Sequence, residues 1–394
     1  MGSKSFEILY QDNVIKFIGE ITSLKFYNQI FVALTEHYNK SGKSEVPVFS
    51  FENVTRFDPK VVPNLIGIGL ILKQYHNNAI PLKIINSESI GFLNHINFFK
   101  IVGPKTDISE NIYINDNRYL NSYSTGLDVF SFDEGFLGFF GNKHEYPKYR
   151  KEHKAHVYFN NSYEYYKLYL DHKNDKKIEQ LLEEKRTKTY ESFVLDKIPK
   201  DFGVVLADYI ESRDFYNDII KILSEIVTNA VLYSYSPCIA MLNTNRFKTS
   251  ISISDFGIGL EGSIKYKPNF NRQITEMFKK KSLYKPQLND FLLIMDCLSY
   301  SKNKERENLW RLKERIKSIN GVLRIHYNTT QVVFASRCIN CNEGVFECAK
   351  CILNSAKEDF DISPLRIYPN TLKGFHIEIE IQNPELVSNN FEIG

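Results

Sequence analysis

An excess of charge of either sign is lacking in this chain: 50 Lys and Arg against 47 Asp and Glu leave a formal charge of only +3 over 394 residues. So even a balance argues against a wholesale nucleic-acid coat, though not against a local basic patch. Long hydrophobic runs are missing too. The longest apolar stretch, Val61 to Leu72, is interrupted by Pro63 and Asn64 and is too short to cross a bilayer. No secretory leader is expected, because Met1 to Lys16 mixes Glu7, Gln11 and Asp12 into a strand-like pattern. Phe6 stands where a myristoylation motif wants Ser or Thr. The expected setting is therefore the cytoplasm, without a membrane partner, and the richness in Lys, Asn, Ile, Tyr and Phe suits an AT-rich bacterial genome.

What is present is ample core material, 43% hydrophobic and 14% aromatic, in a chain longer than a usual single domain. Residues 6 to 20 alternate like strands around a turn at Asp12-Asn13, Leu24 to Tyr38 reads as a helix and Val46 to Phe51 as a short strand. Val54 to Pro59, a helix from Pro63 to His76 and a strand at Leu82 to Ile85 follow. Strands alternating with helices imply a small α/β layer.

The segment richest in chemistry runs from Glu225 to Gly259. Ile219, Ile220, Leu223, Ile226, Val227, Ala230 and Val231 recur at helical spacing, which places Glu225 and Asn229 one turn apart beside the apolar stripe. By itself such a pair reads as a solvated polar face. Two strands are expected next, Cys238 to Leu242 and Thr249 to Ser254, joined by Asn243 to Arg246. The second runs into Asp255-Phe-Gly257-Ile-Gly259, where two glycines let the backbone turn tightly and approach a ligand.

Glu225-Ile-Val-Thr-Asn229-Ala-Val and Ser254-Asp255-Phe-Gly257-Ile-Gly259-Leu resemble the N box and first glycine box of the GHKL superfamily, which includes gyrase, heat-shock chaperones, histidine kinases and mismatch-repair ATPases. The likeness covers about residues 205 to 382. It implies that Asn229 holds a magnesium ion bridging the phosphates of ATP, that Glu225 is the general base, and that Asp255 accepts the exocyclic amine of adenine. Gly257 and Gly259 would shape the turn beside the nucleotide.

Two departures from the family pattern stand out. The second glycine box, where the family has a Gly-rich lid before a helix, is replaced by Ser301-Lys302-Asn-Lys304-Glu-Arg306-Glu-Asn-Leu-Trp310, without glycine. Lys302, Lys304 and Arg306 are the candidates to supply phosphate contacts by side-chain charge, or are ordinary surface residues. A helix still follows, with Leu309, Leu312, Ile316 and Ile319 in register and a stop at Asn320-Gly321. The closing strand, Gly374 to Ile381, carries Phe375 where the family has a threonine that helps hold adenine.

The amino-terminal order, with Phe51 to Phe57 leading to Asp58-Pro59 and an apolar helix, resembles the STAS domains of anti-sigma antagonists over about residues 5 to 105. Pro59, Lys60 and Val61 follow Asp58, so the phosphorylatable Ser or Thr of signalling members is not there. Between the two regions, Phe130 to Gly141 reads as aromatic core, with a contact surface as the alternative, and a charged, Tyr-rich helix from Ser162 to Arg186 as either an interdomain bridge or a homodimer seam.

Four of the six cysteines fall in Cys338-x-x-Cys341-x6-Cys348-x-x-Cys351, a spacing suited to one tetrahedral structural zinc; a redox pair and plain thiols are the alternatives. The expectation is thus a mixed α+β chain in three parts. Residues 1–105 form a STAS-like layer, 106–204 a linker with a helical bridge, and 205–394 a GHKL-type α/β sandwich with a zinc-binding insertion at 336–352. Its expected work is that of an ATP- and magnesium-dependent, ATP-hydrolysing switch, with residues 260–305 as the lid, controlling how a protein partner docks. The alternatives are an anti-sigma-type serine/threonine kinase, and a non-hydrolysing nucleotide sensor or nucleic-acid-binding module.

Overall fold

Asp12 and Asn13 both take positive φ, 53° and 60°, and this two-residue turn closes an antiparallel hairpin between β1 (Glu7–Gln11) and β2 (Val14–Ile21). Left-handed backbone at both central positions matches the twist of paired strands, and Asp and Asn tolerate it. The computed structural model describes residues 7–76, 80, 82–83, 136–138, 153–158, 176–207, 209–234, 236, 238–244, 247–265, 267, 269–302, 309–335, 344–359 and 362–383. It is a mixed α and β chain with open sheets. Its contacts divide it into two units, Met1–Val157 with Ile239–Asn243, and Tyr158–Cys238 with Thr244–Gly394.

In the first unit the hairpin leads into α1 (Ser23–Ser41), then β3 (Val48–Phe57), α2 (Val62–His76) and β4 (Leu82–Lys83). The sheet order is β1-β2-β3-β4, with β3 parallel to β2 and β4 parallel to β3, so each helix is a crossover. Ile15, Phe17 and Ile21 of β2, Phe49 and Phe51 of β3, and Phe26 and Ile30 of α1 are buried at its core. Within that core the Asn64 amide donates to the Tyr27 hydroxyl at 2.7 Å and so ties α2 to α1. The stretches read from sequence as two pieces, up to Phe51 and from Val54, form one ten-residue strand. Two further short strands, β5 (Phe136–Gly138) and β6 (His153–Tyr158), are described in this unit; most of the aromatic run from Phe130 lies outside the described residues.

The second unit begins with α3 (Lys176–Ser192), which passes through two π-helical stretches, Phe193–Lys197 and Pro199–Gly203, into α4 (Val204–Ala207). Pro199 lacks an N–H, which removes one i to i−4 bond and favours the wider winding. Of the helix expected from Ser162, the part before Lys176 lies outside the described residues. α5 (Arg213–Tyr233) starts at Ser212, whose hydroxyl accepts the Phe215 N–H at 3.4 Å. Next along the chain come β7 (Cys238–Thr244), whose Ile239–Asn243 belong to the first unit and whose two end residues belong to this one, and β8 (Lys248–Asp255); Thr244 and Thr249 share a 2.8 Å hydrogen bond at the turn that follows β7.

Four helices come next: α6 (Gly259–Ile264), α7 (Gln273–Lys280), α8 (Asn289–Lys302) and α9 (Leu309–Ser318). The chain then forms β9 (Val322–Ala335), α10 (Val345–Asn354) and β10 (Leu365–Gln382), with β10 antiparallel to both β8 and β9. One face of these strands is apolar: Ile251, Ile253, Leu323, Ile325, Ile377 and Ile379 are buried there, and α5 packs on β8 while α8 and α9 pack on β9. The opposite face is polar, with Ser252, Ser254, His326, His376 and Glu378 buried and Arg324 partly exposed. His376 pairs with Ser254 on one side and His326 on the other, and Glu378 pairs with Ser252 and Arg324.

Candidate functional site

Glu225 does not sit on a solvated face of α5. It is 3% exposed, between the fully buried Ser224 and Thr228, and its carboxylate accepts the Asn229 side-chain N–H at 2.8 Å. Burying a carboxylate among isoleucines is costly, which turns the sequence pair into a constrained polar site rather than a surface stripe. Asn229 is half-buried. With its amide nitrogen committed to Glu225, the end of the amide suited to a hard cation is the oxygen.

Asp255, the last residue of β8, is also 3% exposed. It accepts N–H bonds from Gly257 at 3.1 Å and from Phe375, its register partner on β10. Burial pushes its carboxyl up to about 7, and the two backbone bonds offset part of that rise. The fully buried Cys238 thiol is pushed well up, by burial first and by the Asp255 charge second.

The turn after Asp255 is clamped from three sides. A Cβ on Gly257 would fall 1.7 Å from the Ser234 carbonyl oxygen at the C-terminus of α5, and that same oxygen accepts the Ile258 N–H at 2.8 Å. Gly259, at φ +65°, lies under Tyr327 of β9, whose ring would be 2.8 Å from an added Cβ and whose hydroxyl accepts the Glu261 N–H at 3.3 Å. Gly374 of β10 takes φ +106°, and a Cβ there would be 1.9 Å from the Asp255 carbonyl oxygen. Helix α5, the end of β8 and the start of α6 are thus locked into one assembly holding Glu225, Asn229, Asp255, Gly257 and Gly259.

The segment following this turn is pinned by a residue the sequence reading did not single out. Asp296, fully buried on α8, accepts the Ile274 N–H at 2.6 Å, the Thr275 N–H at 3.2 Å and the Thr275 hydroxyl at 2.6 Å, and so caps α7 from another helix. The signal was available: an acid inside the apolar run Phe291 to Leu298 needs internal partners. Elsewhere in the segment, the Lys267 ammonium lies 3.6 Å from the centre of the Tyr233 ring, near the end of α5.

Lys302 is placed differently from the five residues above. It is exposed at the end of α8 with its ammonium 4.9 Å from the Trp310 ring, which the nearly buried Lys313 also covers at 4.2 Å. Lys304 and Arg306 lie outside the described residues.

Cys348 and Cys351 are reduced thiols one turn apart on α10, the first buried and the second partly exposed. That i, i+3 spacing puts two sulfurs on one side of a helix, as a shared ion would require. Cys338 and Cys341 lie outside the described residues, and among the described residues no group of three or more His, Cys, Asp or Glu is placed to hold a metal. Nor, among them, is any helix long and apolar enough to cross a membrane.

Comparisons with models of known families, with curated proteins and with solved structures find no match to this chain.

Proposed function

We propose that the second unit is a GHKL-type module that binds ATP with magnesium, and that the chain works as a nucleotide-operated switch controlling the docking of a protein partner. The observation that carries this reading is a buried Glu225 hydrogen-bonded to Asn229 on the helix whose C-terminus clamps the Asp255-x-Gly-x-Gly turn. Buried carboxylates are costly to keep, and two of them on adjacent elements beside a glycine-built turn are the kind of cluster that marks a ligand site.

In this reading Asp255 accepts the exocyclic amine of adenine, and the Phe375 backbone N–H holds the carboxylate in position where the family uses a threonine side chain. Asn229 would hold magnesium through its amide oxygen; when bound, the ion would neutralise charge between the phosphates. Glu225, oriented by the Asn229 N–H, takes a proton from the attacking water. Residues 260–305 form the lid, with Asp296 fixing α7 as one moving piece and Lys267 on Tyr233 as a contact through which lid position is linked to α5. Lys302 is left as an outer charge at the end of the lid.

Two supporting elements complete the proposal. The first unit has the strand-helix order and two parallel crossovers expected of a STAS-like domain. The α10 thiols fit half of a Cys338, Cys341, Cys348 and Cys351 zinc site with a structural role.

The test is phosphate release from magnesium-ATP by wild type and Glu225→Ala. Turnover that Glu225→Ala abolishes, with nucleotide binding kept, supports the switch. Binding without turnover in wild type turns the reading to a sensor, and transfer of labelled phosphate to a co-purified protein turns it to a kinase.

A further inference from the structure

Two regions far apart in sequence, the lysine-rich turn between α7 and α8 and the cysteine-bearing helix α10, form one surface. Phe278 of α7 meets Phe346 of α10 edge to face at 5.4 Å between ring centres, and the ammonium groups of Lys281 and Lys350 lie 5.0 and 5.6 Å from the Phe346 ring. Lys279, Lys280, Lys281 and Lys285 are all exposed, and no acidic residue lies between Glu276 and Asp290. Beside this basic surface opens a cleft of about 370 Å³ between α7, α8 and α10. Ile274, Met277, Val345 and Phe346 give it an apolar floor, Gln273, Ser299 and Glu347 a polar edge, with Glu347 neutralised by Lys350 at 2.9 Å, and Lys302 stands exposed at its side.

We propose that this surface binds single-stranded nucleic acid, with an unpaired base in the cleft and successive backbone phosphates on the lysines at the end of α7 and in the α7–α8 turn. Each part of the observation has its use. An apolar floor with polar edges receives the face and rim of a base, and only an unpaired strand can present one. Lys280, Lys281 and Lys285, with Lys279 once it leaves its 2.9 Å ion pair with Glu276, supply the phosphate contacts, in a chain whose total charge is nearly balanced. A lipid surface fits less well, because the turn offers little to insert. Leu283 is 42% exposed, and Tyr284 is tied down, its hydroxyl donating to Asn289 at 2.7 Å and its ring lying 5.7 Å from the Lys279 ammonium. The proposal does not depend on ATP binding or hydrolysis.

Fluorescence anisotropy of the full chain with a labelled mixed-sequence 20-mer, as DNA and as RNA, tests it, with the matching duplex and phosphatidylserine vesicles as comparisons. Single strands of one or both sugars are expected to bind, and affinity to fall about 50-fold between 50 and 200 mM KCl if about four phosphates are contacted at the single-strand slope of about −0.7 each. Lys280→Glu/Lys281→Glu should lose at least about tenfold in affinity and flatten that slope, whereas Lys248→Glu on β8 should change neither. Ser299→Tyr, which fills the cleft, should weaken binding and leave the slope unchanged. Thermal melts of each variant confirm folding. Equal affinity for duplex and single strand, undiminished binding by the double variant, or association with vesicles but not oligonucleotides would each overturn the proposal.

Discussion

The carboxylate of Asp255 accepts a hydrogen bond from the backbone N–H of Phe375, the residue directly across from it on β10. The side chain at 375 is therefore not what supports the carboxylate, and the absence of threonine there costs Asp255 less than the sequence implies. Phe375→Ala should keep nucleotide affinity within about threefold of wild type in a binding titration, since a backbone donor survives the substitution.

Asp255 also makes a prediction about stability. Its folded-state carboxyl is raised to about 7 against an ordinary 3.8, so the native state binds this proton more tightly than the unfolded chain. Its contribution is fully present below about pH 4 and is lost as pH rises through 7. Asp255→Asn, which keeps an oxygen for the Gly257 and Phe375 N–H groups, should stabilise the protein by roughly 2 to 4 kcal/mol at pH 8 and by little at pH 4. Urea denaturation at the two pH values is the check. A variant that is more stable yet cannot hold ATP would separate a functional carboxylate from a structural one.

The buried histidine pair acts in the opposite sense. His326 and His376 face each other across β9 and β10, and their Nε2–H groups donate to the Asn328 and Lys373 carbonyls at 2.8 and 3.1 Å. Burial lowers His326 to about 4 and His376 well below its ordinary value, the neighbouring imidazole adding to the latter. Depressed histidines stabilise above about pH 6.5, and that stability is lost as pH falls toward 4. For His326 alone the loss is about 3 kcal/mol. In the Asp255→Asn background, where the opposing carboxyl is gone, unfolding midpoints should fall steeply between pH 6.5 and 4.5, and His326→Gln should remove about half of the slope.

Asp296→Ala should unfasten α7. It removes three hydrogen bonds at 2.6, 3.2 and 2.6 Å and leaves the Ile274 and Thr275 N–H groups buried without their acceptor. The expected cost is about 2 to 4 kcal/mol. Hydrogen exchange at residues 273–280 should rise before exchange in α5 does. Protection of α7 equal to wild type would show that the helix is held by its apolar contacts alone.

Gly374→Ala should be among the most damaging single substitutions outside the helices. It combines φ +106° with a Cβ 1.9 Å from the Asp255 carbonyl oxygen, and the atoms that Cβ would meet, in Asp255 and Phe256, are all backbone. Loss of soluble protein, or a drop of more than about 3 kcal/mol in denaturation, is the expected outcome.

Much of this geometry was legible in the sequence wherever a single period or turn residue governed the outcome. The isoleucines of α5, the alternation of β8, and the stop at Asn320, which takes φ +54°, each declared their element locally. The Asp12-Asn13 hairpin was readable for the same reason. Features set by distant partners were not. That Glu225 is buried follows from what covers α5, and nothing in the helix's own pattern distinguishes a buried polar flank from a wet one. Likewise, the lengths of β9 and β10 come from pairing that extends to Leu365 and Val332, 33 positions apart, and the expected closing strand at Gly374 to Ile381 was only the second half of β10. The π-helical course from Phe193 to Gly203 lies beyond the helix expected to end at Arg186, and no local period in those residues announces it.

The most direct test of the central claim is calorimetric titration of magnesium-ATP and magnesium-GTP into wild type and Asp255→Asn. A carboxylate that accepts the adenine amine predicts ATP preferred over GTP by at least about 100-fold in wild type, since guanine places an oxygen against it, and loss of ATP binding in the variant. Equal affinity for the two nucleotides, or undiminished ATP binding by Asp255→Asn, would contradict it.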